Sequence, residues 1–255
     1  MKETTNFMRR YELKFTLNKS QLEFFVNRIN DYMEVDKYGL TSIASIYFDT
    51  PNYSLINRSI EKPEYKEKIR LRSYGLASKD STLYLEIKRK LNGIVYKRRI
   101  PVKEDEAFNL IYLKGTGKDG QVDKEVEEFI KKYPLLRPQY LVIYDRVAYY
   151  QKDSDIRITI DKNPRYRTNY LNLHTSMEGT SLLEEDNAIL EIKVQNALPL
   201  WLVAILSEGK IYQSSFSKVG KAHMLENIIH QPGVVMEDND IYIKEGGKYH
   251  YGLAI

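Results

Sequence analysis

The sequence predicts an α+β fold in which about eight mostly antiparallel strands alternate with a few helices. Two kinds of pattern indicate this fold. Several segments alternate apolar and polar residues with the two-residue period of a strand that has one apolar face, and others carry apolar residues at helical spacing. The clearest example is Leu83–Arg99, in which Leu and Ile alternate with polar residues before Asn92-Gly93. This dipeptide tolerates positive φ, so the segment is predicted to be a β-hairpin.

The other elements follow from the same patterns along the chain. Strands are predicted at Asn6–Leu17, Ile43–Thr50, Lys66–Tyr74, Thr82–Pro101 (the hairpin), Arg137–Tyr150, Asp155–Asp161 and Ala188–Asn196. Helices are predicted from Asn18 to about Met33 and at Asn52–Ser59, Lys103–Leu113, Val122–Lys132, Pro199–Leu206 and Ser217–Ile229. The segment Asn163–Gly179 matches neither pattern. We expect one domain over residues 1–255, with a core of about 7–230 and a polar tail at 232–255 that carries no core signal.

Composition excludes several classes of protein. The 255 residues suffice for one large domain or two small ones, and they include no cysteine, which excludes disulfides and thiolate metal sites. Neither a signal peptide nor an apolar run of the ~20 residues that a membrane span needs is visible. The net charge of only +4 argues against a general nucleic-acid coat. We therefore expect a cytoplasmic protein that binds no nucleic acid.

The polar faces of the predicted strands are dominated by Arg, Lys and Glu. These positions are Arg10, Glu12, Lys14, Lys68, Arg70, Arg72, Glu86, Lys88, Lys90, Arg157, Asp161, Glu191 and Lys193. Two arrangements are compatible with this pattern. Either the faces are solvated, as single charged strand faces usually are, or the sheet closes into a barrel whose apolar faces are covered by helices. In the second case the charged faces line a hydrated tunnel, which requires a highly charged ligand.

The residue types in such a tunnel favour phosphate chemistry. Arg offers a planar fork to phosphate oxygens and Lys a mobile charge, while carboxylates among them suit Mg²⁺ or Mn²⁺ bridging to phosphate. Phosphoryl transfer needs little beyond positioning and charge neutralisation. No P-loop and no kinase signature is present. The four histidines (His174, His223, His230 and His250) lack metal-ligand spacing and are interpreted as structural or exposed.

A series of short motifs resembles one known family. In order they are RRYELKF (Arg9–Phe15), SIYFDT (Ser45–Thr50), KIRLRSYG (Lys68–Gly75), LEIKRK (Leu85–Lys90), YKRR (Tyr96–Arg99), YDR (Tyr144–Arg146), RITID (Arg157–Asp161), LEIKV (Leu190–Val194) and SFSK (Ser215–Lys218). Their joint order and spacing, over about residues 7–230, resemble the VTC domain. This domain is that of the polyphosphate polymerases in the triphosphate tunnel metalloenzyme (CYTH-like) superfamily.

The resemblance implies a fold and a set of site residues. The fold is a closed antiparallel eight-stranded β-barrel around a basic tunnel, with helices packed outside. The implied catalytic residues, which hold the triphosphate, are Lys14, Arg70, Arg72, Lys88, Arg146 and Lys218. The implied substrate-binding residues are Tyr144, Lys193, Ser217 and a basic residue among Lys97, Arg98 and Arg99, between which strand parity does not decide. Glu191 is implied as the principal ligand of Mn²⁺ or Mg²⁺, with Glu12 and Glu86 as weaker candidates.

The chain also departs from the eukaryotic pattern of this family. Ser215 stands where those enzymes carry a further Lys, which weakens one phosphate contact. No SPX sensor domain and no membrane helices are visible in the sequence, so we expect a catalytic module of bacterial type without regulation through an SPX domain.

The resemblance predicts a polyphosphate polymerase that transfers the γ-phosphate of ATP, or of another nucleoside triphosphate, to a growing chain. Two alternatives stay open. One is a tripolyphosphatase or nucleoside triphosphate phosphohydrolase with the same cavity. The other is a module that binds polyphosphate without catalysis, docked to a separately encoded membrane partner.

Overall fold

The computed structural model describes residues 11–92, 94–113 and 120–229, and the backbone of residues 234–237, 240–245 and 248–251. The helices are α1 (Lys19–Ile29), α2 (Ser54–Ile60), α3 (Glu104–Leu113), α4 (Gln121–Lys132), α5 (Leu200–Glu208) and α6 (Lys218–Ile229). The strands are β1 (Tyr11–Leu17), β2 (Glu34–Val35), β3 (Thr41–Asp49), β4 (Tyr65–Tyr74), β5 (Leu83–Leu91), β6 (Ile94–Val102), β7 (Arg137–Tyr150), β8 (Arg157–Arg167), β9 (Thr180–Ser181), β10 (Ala188–Val194), β11 (Gln213–Ser214), β12 (Val234–Glu237), β13 (Asp240–Glu245) and β14 (Lys248–Tyr251).

The predicted α+β fold with a large antiparallel sheet is confirmed. The strands follow the order β11-β1-β10-β8-β7-β3-β4-β5-β6, with β2 paired to β7 and β9 paired to β8. Within the described residues, no backbone pairing joins β6 to β11, so hydrogen bonds do not close the predicted barrel. Side chains instead reach across the curled sheet, since Lys88 of β5 donates to Glu12 of β1 at 2.7 Å.

Helices cover the apolar outer face of this sheet, as the sequence predicts. One cluster of buried apolar residues joins α3 and α4 to β3, β4, β5, β6 and β7. A second cluster joins α1 and α5 to β1, β8 and β10. Because successive side chains of a strand point to opposite faces, the charged residues of the same strands point to the inner face.

Helix α6 differs from the prediction that the helices pack outside. It contributes Val219 and Ala222 to a third cluster with Val142 and Tyr144 of β7 and Ile43 of β3. On β7, Val142 and Tyr144 alternate with Leu141 and Ile143 of the outer cluster, so α6 lies on the inner face of the sheet. This part of the inner face is apolar because a helix covers it.

The end of the sheet beside α6 is closed by α2. The buried carboxylate of Asp49, the last residue of β3, accepts hydrogen bonds from the backbone N–H groups of Leu55 at 3.0 Å and Ile56 at 2.8 Å. These are orphan donors of the first helical turn, so the carboxylate satisfies them and fixes the start of α2. The last turn of α2 thereby brings Ser59 and Ile60 to the wall of the inner cavity.

Most predicted elements agree with the structure to within a few residues, and the differences are of three kinds. Strand β8 continues to Arg167 instead of ending at Asp161. The strands β2, β9 and β11 have two residues each, too few to show a periodicity. The tail without a core signal contains the antiparallel strands β12, β13 and β14.

Parts of two predicted elements lie outside the described residues. They are the start of the predicted strand Asn6–Leu17, with Arg10, and Gly93 of the hairpin turn. Asn92 has the positive φ of 47° that the predicted turn requires. None of the helices in the described part of the chain is both long and apolar enough to cross a membrane.

Glu67 joins β4 to α4 on the outer face of the sheet. Its carboxylate is 3% exposed and accepts hydrogen bonds from Lys132, Tyr133, Tyr65 and Arg89. We predict that Glu67→Gln lowers the free energy of unfolding by about 2 kcal/mol, because the neutral amide leaves Lys132 without a counter-charge and weakens the pairing of Arg89, which keeps Glu125. Urea denaturation measures this change. The control is Glu128→Gln on the same helix, where an exposed pair with Lys131 contributes less than about 0.5 kcal/mol. Equal losses in the two variants would contradict the prediction.

Candidate active site

The inner face of the sheet lines a cavity of about 2510 Å³ that reaches the surface. All but two of the predicted site residues line it. They are Glu12, Lys14, Arg70, Arg72, Glu86, Lys88, Lys97, Tyr144, Arg146, Glu191, Lys193, Ser217 and Lys218. Six strands and the start of α6 supply these side chains, so the arrangement depends on the curvature of the whole sheet.

Glu86 holds one group of cations at the wall formed by β4, β5 and β6. Its carboxylate lies 2.8 Å from Arg70, 2.6 Å from Lys97 and 3.6 Å from Arg72. Burial alone would raise the pKa of Glu86, but Arg70, Arg72 and Lys97 outweigh burial and lower this pKa to about 2. Glu86 therefore remains an anion that orients the two guanidinium groups toward the cavity.

Asp161 organises a second group at the wall formed by β7 and β8. Arg146 donates to both of its oxygens, at 2.5 and 2.8 Å, and Lys218 donates at 2.6 Å. Although burial opposes ionisation, Lys218 and Arg146 lower the pKa of Asp161 to about 2. The sequence pattern places Asp161 on a polar strand face but does not assign it to the site. Its register opposite Arg146 on β7 is the signal that identifies it, and the sequence does not reveal that register.

Glu191 lies between the remaining basic residues. Its carboxylate is 3.4 Å from Lys193 and 3.7 Å from Arg146, and its strand partner on β1 is Lys14. Burial acts against the charge, but Lys193, Lys14 and Arg146 hold the pKa of Glu191 well below its usual range. Lys14 itself is buried, which lowers its pKa to about 8, and it donates to the carbonyl of Phe216 at 3.1 Å.

These carboxylates fit a metal ion that binds together with phosphate, not one held by a protein cage. Among the described residues, no three His, Cys, Asp or Glu side chains converge on one point. Glu12 and Glu191 are diagonal neighbours on β1 and β10, since Glu12 lies opposite Lys193 and Lys14 opposite Glu191. Mg²⁺ typically takes one or two carboxylates and completes its shell with phosphate oxygens and water.

Lys68 is a site residue that the sequence analysis did not assign. Its ammonium donates to the hydroxyl of Ser217 at 2.9 Å, just before the first residue of α6. Burial, opposed by Tyr47 and assisted by the nearby Lys14 and Lys88, lowers the pKa of Lys68 to about 8. Within the part of the chain that the structure describes, no carboxylate is paired with it.

Two tyrosine hydroxyls connect the basic groups. Arg70 donates to Tyr47 at 2.9 Å and Arg72 donates to Tyr144 at 3.2 Å. Lys218 lies 4.3 Å from the centre of the Tyr144 ring, a cation–π distance. Tyr144 was predicted at the site, whereas Tyr47 was not. The predicted Ser215, which replaces a family Lys, also lines the cavity.

Two predicted residues, Arg98 and Arg99, do not line the cavity. Arg98 points to the outer face, where it donates to Glu125 of α4 at 3.1 Å. Arg99 shares the inner face with Lys97, but it is exposed near the end of β6 and stacks over the ring of Tyr84 at 4.7 Å. Among the three consecutive basic residues, Lys97 is therefore the one that enters the cavity.

The described histidines lie away from the cavity wall. His174 is exposed and contacts Glu104 at 3.0 Å. His223 is buried beside α2, where it contacts Tyr140 at 2.8 Å and Asn57 at 2.9 Å. These two positions agree with their structural interpretation, and the side chains of His230 and His250 lie outside the described residues.

Comparison with known proteins finds a matching family model and solved structures with a similar fold. The family model of the VTC domain matches residues 9–224. The fold is similar to that of a "putative adenylyl cyclase" from Hippeastrum, described as having a dominant triphosphatase activity, with 13% identity, a TM-score of 0.53 and coverage of 84% of this chain and 95% of the other. It is also similar to a "putative adenylate cyclase" from Bacillus halodurans, with 12% identity, a TM-score of 0.50 and coverage of 82% and 96%.

At such identities the likeness to these two structures concerns the fold alone. A search of curated proteins gives no match.

Lys97 and Arg98 provide a matched test of which face of β6 binds phosphate. We predict that Lys97→Ala weakens tripolyphosphate binding about tenfold, because one charged contact of about 1.5 kcal/mol is lost. Arg98→Ala removes the same charge from the outer face and should change the affinity less than twofold. Isothermal titration calorimetry measures both affinities. A loss in Arg98→Ala as large as that in Lys97→Ala would show that the inner face does not bind the ligand.

The low pKa of Lys68 predicts a pH dependence of phosphate binding. Below pH 8 the ammonium is charged, and above pH 8 the free protein loses this charge, so triphosphate affinity should fall by up to about tenfold per pH unit. Lys14, whose pKa is also about 8, contributes in the same direction. Lys68→Arg keeps its charge and should therefore lose less affinity between about pH 7.5 and pH 9 than the wild type. Identical pH profiles would disprove the assignment to Lys68.

Proposed function

Since the chain belongs to the VTC domain family, we propose that it is a polyphosphate polymerase. A nucleoside triphosphate, taken to be ATP, binds in the basic cavity with Mn²⁺ or Mg²⁺. The terminal phosphate of a growing chain attacks the γ-phosphorus, the bond from this phosphorus to the β-bridging oxygen breaks, and ADP leaves. The observation that carries this proposal is the convergence of Arg and Lys side chains from both walls on one cavity with buried carboxylates.

The chain's own residues supply positioning and charge neutralisation. Arg70 and Arg72, held by Glu86, and Arg146, held by Asp161, present guanidinium groups on either side of Tyr144 to the same cavity. In phosphoryl transfer these two contributions account for most of the catalysis. Lys218 and Ser217 add donors at the start of α6, where a helix N-terminus favours an anion.

The divalent metal has a defined place in this proposal. Glu191, with Glu12 beside it, would hold the ion together with phosphate oxygens. When bound there, the ion would supply positive charge next to the transferring phosphoryl group.

The state of the carboxylates favours a polymerase over a hydrolase. Water must lose a proton when it attacks phosphorus, whereas the oxygen of a terminal phosphate is already ionised near neutral pH. Glu86 and Asp161 have pKa values of about 2 and Glu191 has one well below its usual range, so all three are weak bases. Neither described histidine lines the cavity. A phosphate nucleophile needs no such base.

Hydrolysis is the second candidate. It is favoured by the fold similarity to the Hippeastrum protein, which is described as having triphosphatase activity. The two candidates share the cavity and the metal, so the product distinguishes them.

We predict that the purified chain, incubated with ATP and Mn²⁺, makes polyphosphate, and that Glu191→Gln abolishes the synthesis. Removal of this buried charge takes away the metal ligand and leaves Lys193 without its carboxylate partner, while Arg146 keeps its pair with Asp161. Gel electrophoresis with a polyphosphate stain measures chains, and a phosphate assay measures hydrolysis. Mg²⁺ in place of Mn²⁺ identifies the preferred ion, and chelation should stop synthesis.

The control is Glu128→Gln, an exposed carboxylate of α4 that does not line the cavity, and this variant should keep full activity. Free phosphate without chains would replace the polymerase by a hydrolase. Triphosphate binding without any turnover would instead support a non-catalytic polyphosphate-binding module.

A further inference from the structure

A ladder of basic side chains follows the inner face of β4 and β5. On β4, Arg72, Arg70, Lys68 and Lys66 occur at every second residue and all line the cavity. The register places Lys88 opposite Lys68 and Lys90 opposite Lys66, so the ladder is two side chains wide at this end. From Arg72 to Lys66 the strand rises by about 20 Å. This is longer than a triphosphate needs.

Charge compensation changes along the ladder. At the end with Arg70 and Arg72, Glu86 pairs with both guanidinium groups. In the middle, Lys88 pairs with Glu12. At the far end, no carboxylate within the described ranges pairs with Lys66 or Lys90, and Lys66 donates at 3.3 Å to the carbonyl of Ser59.

The far end is also crowded with like charges. Burial lowers the pKa of Lys66, and Lys90, Lys62 and Lys88 lower it further. Lys62 is exposed in the loop after α2 and lines the same cavity. Lysines that repel one another and, within the described ranges, pair with no carboxylate form an arrangement that an anion stabilises.

We propose that Lys66 and Lys90, with Lys62 at the rim, form a subsite for the phosphates of a polyphosphate chain beyond the three that the Arg70–Arg72 region holds. This chain is the acceptor or the product of the reaction, so the proposal rests on the proposed function. The subsite determines chain length, because each added phosphate that stays bound delays release of the product.

At the end of the cavity near Lys66 and Lys90, the opposite side carries negative charge. Glu184, Glu185 and Asp186 line the cavity just before β10, which begins at the end of the sheet where β4 also begins. Asp186 is paired with Lys19 at 2.8 Å, whereas Glu184 and Glu185 are exposed. A polyanion leaving this end is therefore repelled from the β10 side and directed along β4 and β5.

The test compares two ligands in the absence of nucleotide, so that it does not depend on catalysis. Titration calorimetry with tripolyphosphate and with a long polyphosphate should give a higher affinity per molecule for the long chain. The double variant Lys66→Ala/Lys90→Ala should keep its tripolyphosphate affinity within twofold and lose about tenfold or more of its long-chain affinity. Its long-chain affinity should also depend less on salt concentration, since fewer counterions are exchanged.

Two further double variants serve as controls. Lys66→Arg/Lys90→Arg keeps the charge and should retain the long-chain affinity. Lys37→Ala/Lys152→Ala removes two exposed charges that do not line the cavity and should leave both affinities unchanged. Unchanged tripolyphosphate binding shows that the tested variant is folded.

The results separate this inference from the proposed function. An unchanged long-chain affinity in Lys66→Ala/Lys90→Ala, or an equal loss for both ligands, would overturn the subsite. Loss confined to the long chain supports it, even if the synthesis assay yields only free phosphate. Where chains are synthesised, the same variant should make shorter ones at a similar rate of ATP consumption.

Discussion

The structure depends on the confinement of many cations within one curled sheet. Arg70, Arg72 and Lys97 lie on one wall and Arg146 and Lys218 on the other. Without counter-charges their mutual repulsion and their loss of hydration would destabilise the fold. The buried carboxylates of Glu86 and Asp161 supply these counter-charges, each binding two or more cations. The first role of these carboxylates is therefore to stabilise a fold that encloses so many cations.

This role also limits what the carboxylates do chemically. A group whose pKa is near 2 because it is surrounded by cations is an anion under all ordinary conditions and accepts a proton poorly. These carboxylates can orient the cations that neutralise a polyphosphate, but they are weak bases toward a water molecule. The electrostatic solution that stabilises the fold thus favours a nucleophile that is already charged.

The alternation of residues in the sequence was sufficient to predict which strand faces are apolar and which are charged. It could not predict which of the three consecutive basic residues Lys97 to Arg99 point into the cavity, because the alternation is satisfied whichever face Lys97 occupies. In the structure Arg98 faces Glu125 of α4, a partner 27 residues away that alternation does not reveal. Asp161 was overlooked as a site residue for the same reason, since its role depends on the register between β7 and β8.

Local sequence patterns also could not predict the position of α6 on the inner face of the sheet. Its apolar residues predict burial, but not on which face of the sheet. The inner residues of β7 include Val142 and Tyr144, and this apolar area exists because α6 covers it. One consequence is functional, since Ser217 and Lys218 reach the cavity from a helix that the sheet's own hydrogen bonds do not fix.

Two buried lysines show what the cavity still requires. Burial holds the pKa of Lys14 and Lys68 at about 8, below the value of 10.5 expected for an unfolded chain. Below pH 8 both lysines are charged in either state, and the folded protein bears the full electrostatic cost. Between pH 8 and 10.5 the folded protein releases these protons first, so this contribution to stability becomes more favourable as the pH rises. A bound polyanion removes the same cost at neutral pH, because it provides the missing negative charge. A bound polyanion thus completes the neutralisation of the positive charge that the fold confines in the cavity.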